Sequence, residues 1–444
     1  MKVGALGATD LGIAFDDDDW QAEAVEGIGA RESSRTGAKN QRMHSKAKAS
    51  GIMAANHRTA MPLTLPIPDS AAFAHSEQLR AHIAEAICAA GGWLPFSGYM
   101  ALALYAPGLG YYAAGSTKFG VAGDFVTAPG LTPLFGQVVA RTVAAVLAET
   151  GGAVLELGAG EGHLAADLLN ELADMGVLPS RYYILELSAD LRARQQARLA
   201  ESAPQWLDCV IWLEAMPTVF TGIILGNELL DALPVDILHR RAEGIFERGV
   251  VLAENGGFAW ADRPVSNADL QALGRVFPAV DDYVSEVSLA VPALIRSLAG
   301  CLERGALLFF DYGFPRAEFY HPQRSQGTLM CHYRHHSHDD PFWLPGLNDI
   351  TAHVDFSTVA EAGDQEGLDL LGYTSQGAYL LQAGLLDQLA ALERGTPAYL
   401  RAVVALQKLI QPHEMGELFK VIALGRGLSV ALPGFSGNDR GHAL

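Results

Sequence analysis

Between Ala153 and Gly162 the chain reads Ala-Val-Leu-Glu-Leu-Gly-Ala-Gly-Glu-Gly, an apolar run with an acid near its end and three alternating glycines after it. Gly158, Gly160 and Gly162 permit a sharp passage from strand to helix and let a ligand approach the backbone closely. A dinucleotide fingerprint needs glycine at position 163, where His163 stands, and no Gly-Lys-Ser/Thr follows to make a P-loop. The remaining pattern is E-x-G-x-G-x-G, a ligand turn without a basic phosphate cradle. Two later segments carry acids in comparable places. Glu186 lies near the end of the next apolar run, 28 residues beyond Gly158, and Gly226-Asn227-Glu228-Leu229-Leu230-Asp231-Ala232-Leu233-Pro234 follows a third such run.

The elements that must position these residues follow from the hydrophobic periodicity. Leu79, Ile83 and Ile87 mark a helix from Ser76 to Gly91, and a second helix spans 96–104. A Gly-, Tyr- and Pro-rich stretch over 107–129 is too long for an ordinary connection. Thr132-Pro133 opens a helix to about Glu149. From there strands (153–157, 182–187, 209–213, 222–226 and 307–311) alternate with helices (162–175 and 189–201). That succession predicts an α/β fold with a doubly wound, mostly parallel sheet. Residues 235–261 read as antiparallel strands with turns at Glu243-Gly244 and Asn255-Gly256-Gly257, followed by a helix over 289–302. The segment 235–303 is therefore expected to form an inserted side lobe. The region 356–393 reads as mainly helical, with a closing strand at 419–424.

Residues 1–60 are expected to lie outside the fold, as a disordered extension with Asp16–Asp19 and a basic stretch from Arg31 to Lys48. A start codon further downstream, at Met53 or Met61, or a basic docking arm would also fit. The expected division is then an N-terminal helical region over 61–150, with its long loop as a lid, and a core over 151–444.

Composition narrows the partners. The 444 residues carry 50 acidic against 31 basic side chains, a formal charge of −19 that repels phosphate backbones and disfavours nucleic acid. The leading 60 residues are charge-neutral, so the excess belongs to the remainder. Half the chain is hydrophobic, enough for a sizeable core. Cys88, Cys209, Cys301 and Cys331 are widely separated, which implies neither a zinc ribbon nor a disulfide scaffold and suits a reducing compartment. The longest apolar runs, 219–225 and 306–310, are strand-sized, so no membrane insertion is expected. The N-terminus has no apolar leader pattern.

The E-x-G-x-G-x-G turn resembles motif I of class I S-adenosyl-L-methionine (SAM) methyltransferases. SAM has no phosphates, and an acid near the turn is compatible with its cationic sulfonium and amino group. The resemblance implies a cofactor site from Glu156, Gly158, Ala159, Gly160, Gly162 and Asn227, with Glu186 accepting the ribose hydroxyls. Trp212, ending the third strand, either flanks the adenine or packs in the core. The N/D-P-P-Y/F motif of amino-methyltransferases acting on nucleic acids and glutamine is missing at Asn227-Glu228.

Taken together, Gly110-Tyr111-Tyr112, Gly123–Pro129, Phe135-Gly136, Leu155–Gly162, Asn227–Pro234, Asp311-Tyr312-Gly313 and Asp349–Phe356 resemble the MidA-like (DUF185) family. That family includes a mitochondrial complex I assembly factor that methylates an arginine. One departure is Gly130, where family members often carry an acid. The resemblance implies protein-arginine N-methylation on a subunit of the respiratory NADH:ubiquinone oxidoreductase, in a bacterial-type cytoplasm or a mitochondrial matrix. A carboxylate pair can hold a guanidinium bidentately and align one nitrogen with the methyl group. Glu228 is expected to orient the guanidinium. Asp231, three residues on along an expected helical turn, assists it or merely caps the turn that follows. Asp311 is expected to reach the guanidinium or the loop backbone, and Tyr312 to wall the substrate channel. Asp124 and Thr127 either close over the methionine end of SAM or shape a structural turn.

His332, His335, His336 and His338 with Asp339 and Asp340 invite a metal hypothesis, but no helical H-E-x-x-H arrangement appears and this chemistry needs no metal. The stretch, His335 included, is expected at the substrate cleft or as a solvated loop. His353 and Asp355 are expected to order their loop on the substrate side and to cap a helix starting near Phe356. Other readings stay open: a methyltransferase for another side chain or a small molecule, or a non-catalytic SAM-binding assembly chaperone.

Overall fold

The computed structural model describes residues 65–114 and 127–444. The expected extension over 1–60 and the lid residue Asp124 lie outside them. The centre is a sheet whose strands are β1 (Ala153–Leu157), β2 (Tyr182–Leu185), β3 (Val210–Leu213), β4 (Phe220–Asn227), β5 (Leu302–Phe314), β6 (Asp369–Ser375) and β7 (Phe419–Arg426). Their order is β6-β7-β5-β4-β1-β2-β3, with the short Val354–Asp355 strand added beside β5. All neighbours from β3 to β5 are parallel, and β7 runs antiparallel to both β5 and β6.

Both faces of this sheet are covered, which is why its strands read as continuous apolar runs. Along β5, Ala306, Leu308 and Phe310 point to one core, with the helices Pro133–Thr150 and His163–Asp174. Leu307 and Phe309 point to the other, with the helices Ala290–Cys301 and Phe356–Gln365. The close pairing of β5 with β4 depends on glycine. At Gly305, φ +143°, an added Cβ would stand 1.7 Å from the Gly222 carbonyl oxygen.

A second sheet is antiparallel and built from Leu94–Pro95, Asp236–Arg241, Gly244–Leu252, Phe258–Pro264 and Tyr283–Val287. The helices Ser70–Ala89 and Phe96–Tyr105 pack on it through Leu79, Ile83, Ile87, Phe96 and Tyr99. The N-terminal helices and the inserted strands therefore share one core. The insertion ends at Val287, earlier than expected, because Ala290–Cys301 buries Val291, Leu294, Ile295 and Leu298 against the central sheet. A third, three-stranded antiparallel sheet joins Met330–Tyr333 to His336–His338 and to Asp349–Thr351.

Other boundaries differ for local reasons. The first helix begins at Ser70, where Asp69 accepts the Ala72 N–H as N-cap. The region read as mainly helical contains β6, an edge strand whose pairing with β7 slips between Leu370 and Gly372. No helix among the described residues is long and apolar enough to cross a membrane.

Candidate functional site

A cleft of roughly 590 Å³ opens at the carboxyl ends of β1, β2 and β4, where the strand order reverses. The turn after β1 forms its floor. Gly158, Gly160 and Gly162 have φ of +62°, +53° and +81°, the left-handed region that favours glycine. The Gly158 N–H donates to the Leu185 carbonyl, tying the turn to β2. Glu156 faces the cleft with its Oε2 2.6 Å from the Tyr182 hydroxyl, and burial pushes its carboxyl up to about 7.

Glu186 also lines the cleft. Its Oε1 accepts the Ser188 N–H at 2.9 Å, and its Oε2 accepts Nε2 of Gln195 at 3.0 Å. The same Gln195 Nε2 donates to the Gly160 carbonyl at 2.9 Å. Of the two readings of Trp212, flanking the adenine or packing in the core, the structure favours the second: it is not a lining residue. Its Nε1 donates to Gln195 Oε1 at 2.9 Å, and its ring packs against the core.

The turn after β4 supplies the opposite wall with Asn227, Glu228 and Asp231. It is not helical: Glu228 holds φ +52°, a strained position for a residue with a side chain. The Asp311 carboxylate at the end of β5 accepts the N–H groups of Leu229, Leu230 and Asp231, so Asp311 reaches the loop backbone. Glu228 Oε1 accepts the Asn227 Nδ2 and the Ala128 N–H, which brings Thr127 and Pro129 to the rim. Burial, with the Asp311 charge adding, pushes Glu228 up to about 8, and the same two causes raise Asp231 well above the carboxylate range. Among the described residues, Asp231 Oδ1 and Asn227 Oδ1 are buried without a hydrogen-bond partner.

The remaining wall is aromatic and acidic. Tyr105, Tyr112 and Tyr312 line it with His332, Asp349 and Thr351. His335 does not reach the cleft. It sits exposed with φ +62° at the tip of the Met330–His338 hairpin, where the turn must reverse the chain. His353 is half-buried behind this wall, its ring parallel to that of Tyr312 with centroids 6.0 Å apart. Asp355 caps the next helix by accepting the Ser357 N–H. Among the described residues, no group of three or more His, Cys, Asp or Glu side chains converges as a metal site.

Sequence reasoning did not single out Gln195, gave Tyr112 and Asp349 no role within their motifs, and placed His332 at the cleft only as part of the histidine stretch. Two signals were available. Gln195 interrupts an apolar stripe with Leu191 and Leu199, and strand alternation sends Asp349 and Thr351 opposite to the core residue Ile350.

Among the described residues, the lining carries six acids, Glu156, Glu161, Glu186, Glu228, Asp231 and Asp349, and no lysine or arginine. Cationic ligands fit such a surface. The unpartnered Asn227 and Asp231 oxygens leave acceptors for them. This strand order, with a glycine turn after β1 and an acid after β2, defines the class of SAM-dependent methyltransferases. The chain belongs to one family of that class, the S-adenosyl-L-methionine-dependent methyltransferases of Methyltransf_28, whose model matches residues 134–374. It is similar to a COG1565 superfamily member from Burkholderia thailandensis, solved with S-adenosyl-homocysteine bound. That likeness has 51% identity and a TM-score of 0.84, and covers 86% of this chain and all of that one. Among curated relatives, the zebrafish protein arginine methyltransferase NDUFAF7, mitochondrial, is 28% identical over 77% of this chain and 86% of its own length. The Drosophila melanogaster homolog is 29% identical over 80% and 86%.

Proposed function

We propose that this methyltransferase acts on the arginine side chain of a protein, with a subunit of the respiratory NADH:ubiquinone oxidoreductase as the acceptor. The observation that carries the reading is the aromatic-walled cleft whose lining, among the described residues, holds six acids. The names of the relatives support the arginine acceptor and a place of action in mitochondria. In a bacterial cell the same chemistry would run in the cytoplasm.

The residues present fit SAM. The glycine turn allows close approach to the backbone, Glu156 faces the cationic end, and Glu186 is held by Gln195 to accept the ribose hydroxyls. Ala159, Asn227 and Thr127 complete the enclosure. When bound, the cofactor supplies an electrophilic methyl group on a sulfonium. Every other task falls to the chain. Glu228 and Asp231 receive guanidinium N–H groups in a planar fork, which orients the remaining nitrogen toward the methyl. A cation between them offsets the burial that holds these acids protonated, so acceptor binding ionises them. Their raised proton affinity also suits them to take up the proton displaced from the attacking nitrogen. Tyr312 walls the channel, with His353 packed parallel behind it.

The test is incubation with labelled SAM and a lysate from a strain lacking the enzyme, followed by mass spectrometry of the labelled peptide. Label on an arginine supports the reading. Label confined to small molecules or to other side chains removes it, and S-adenosyl-homocysteine binding without any transfer would leave a non-catalytic assembly role instead.

A further inference from the structure

The aromatic and acidic wall carries an acid to which nothing above assigns a role. Asp349 and Thr351 lie on one strand that pairs antiparallel with Met330–Tyr333, and His332 is the direct partner of Asp349. Directly opposed residues share a face of the sheet, so alternation directs His332, Asp349 and Thr351 together to the cleft, and Ile350 to the core behind. Asp349 is 2% exposed, and its Oδ1 accepts the Tyr112 hydroxyl at 2.9 Å. The Tyr112 ring stacks on Tyr105, with centroids 5.5 Å apart, and the Tyr105 hydroxyl donates to the Ala232 carbonyl at 2.8 Å. The Ala352 N–H donates to the Asp231 carbonyl at 3.0 Å. Two separate links therefore fix this acid relative to the turn that carries Glu228 and Asp231.

We infer that Asp349 is a further member of the acceptor site, a substrate-binding carboxylate that contacts the cationic side chain from the wall beside the Glu228 turn. The inference rests on the arginine reading for the identity of that cation. Burial drives the adjacent His332 down to about 4, so that imidazole is neutral at physiological pH. Asp349 is also close enough that its charge opposes ionisation of both Glu228 and Asp231. Such mutual repulsion is relieved by a cation placed between the two walls. Tyr105 and Tyr112 add ring faces beside it, the other surface on which a guanidinium is held.

The test uses the full chain saturated with S-adenosyl-homocysteine and titrated with N-acetylarginine amide, N-acetyllysine amide and the neutral isostere N-acetylcitrulline amide, followed by NMR. Wild type is expected to prefer arginine over citrulline. Asp349→Asn is expected to shrink that preference at least tenfold with S-adenosyl-homocysteine affinity unchanged. Tyr112→Phe, which keeps the stack and removes the hydroxyl, shrinks it by a few-fold. Unchanged preference in Asp349→Asn, or a parallel fall in S-adenosyl-homocysteine affinity, overturns the inference. Wild type that binds the lysine analogue as tightly as arginine, with Asp349→Asn weakening both, upholds the contact and removes the arginine reading. No preference for either cation over citrulline overturns both.

Discussion

The Asp311 Oδ2 atom lies 2.7 Å from the Leu230 backbone nitrogen, and the same oxygen accepts the N–H groups of Leu229 and Asp231 at 3.0 and 3.3 Å. One carboxylate from β5 thereby shapes the whole turn after β4. That turn holds Glu228 in the left-handed region and directs Asp231 into the cleft. Burial nevertheless pushes Asp311 up to about 7, with the backbone donors opposing the rise. Asp311→Ala removes the shared acceptor and leaves buried donors unmet, at about 1–3 kcal/mol for each. A loss of about 3 kcal/mol or more in chemical denaturation is expected, with methyl transfer abolished. A variant as stable as wild type would show that the turn holds without this carboxylate.

Glu228→Gln keeps the shape of the side chain and its contacts with Asn227 and Ala128, but not its charge or proton affinity. Transfer is expected to fall roughly 100-fold or more, with S-adenosyl-homocysteine affinity within about twofold of wild type. Full activity in this variant would remove Glu228 from the acceptor site. Reduced cofactor affinity by calorimetry would move it to the other half of the cleft.

Stability and activity are expected to respond to pH in opposite senses. Glu228 rises from 4.5 to about 8 on folding, Glu156 from 4.5 to about 7 and Asp311 from 3.8 to about 7. The folded state then binds more protons than the unfolded chain across that interval, so these acids favour the fold below about pH 4 and progressively less through pH 7 to 8. Glu228→Gln is expected to flatten the decline in stability between pH 5 and 8.5. Acceptor binding needs the ionised carboxylate, so kcat/KM is expected to climb through about pH 8. A flat kcat/KM between pH 6.5 and 9 would contradict the proposed role.

Gly158→Ala places a side chain at φ +62° and 3.3 Å from Leu229 Cδ1. Strain of roughly 1–2 kcal/mol is expected, together with a cofactor affinity reduced at least tenfold as the turn shifts. Calorimetry with S-adenosyl-homocysteine measures this directly. Unchanged affinity would mean that the cofactor does not lie against this turn.

The central sheet was legible because both of its faces are buried. Val154 and Leu155 face opposite cores, so the strand reads as an apolar run, and three glycines after it announce the turn. β6 was not legible: its edge position leaves Asp369 and Leu370 exposed, and Gly372 accompanies the slip in register. The glycine-turn side of the cleft is written in contiguous residues, Glu156 to Gly162, and so could be read from a single segment. The rest of the lining is assembled from Tyr105, Tyr112, Glu228, Tyr312, His332 and Asp349, which only the tertiary fold brings together. His335 misled because the hairpin turn at Arg334 and His335, both at positive φ, projects it away from the cleft that His332 faces.

Trp212 marks where an aromatic at a strand end serves the site through an intermediary. Gln195 accepts the indole N–H, donates to Glu186 and donates to the Gly160 carbonyl. It joins Glu186 to the glycine turn, and Trp212 sets which way its amide points. Trp212→Phe keeps the packing and loses one hydrogen bond, so cofactor affinity is expected to fall about fivefold, as for a contribution of about 1 kcal/mol. Gln195→Ala removes all three bonds and should cost more. If Trp212 acts only through Gln195, the double variant binds S-adenosyl-homocysteine no more weakly than Gln195→Ala alone. A tryptophan stacked on the adenine would give the reverse: Trp212→Phe tolerated, and additive losses in the double variant.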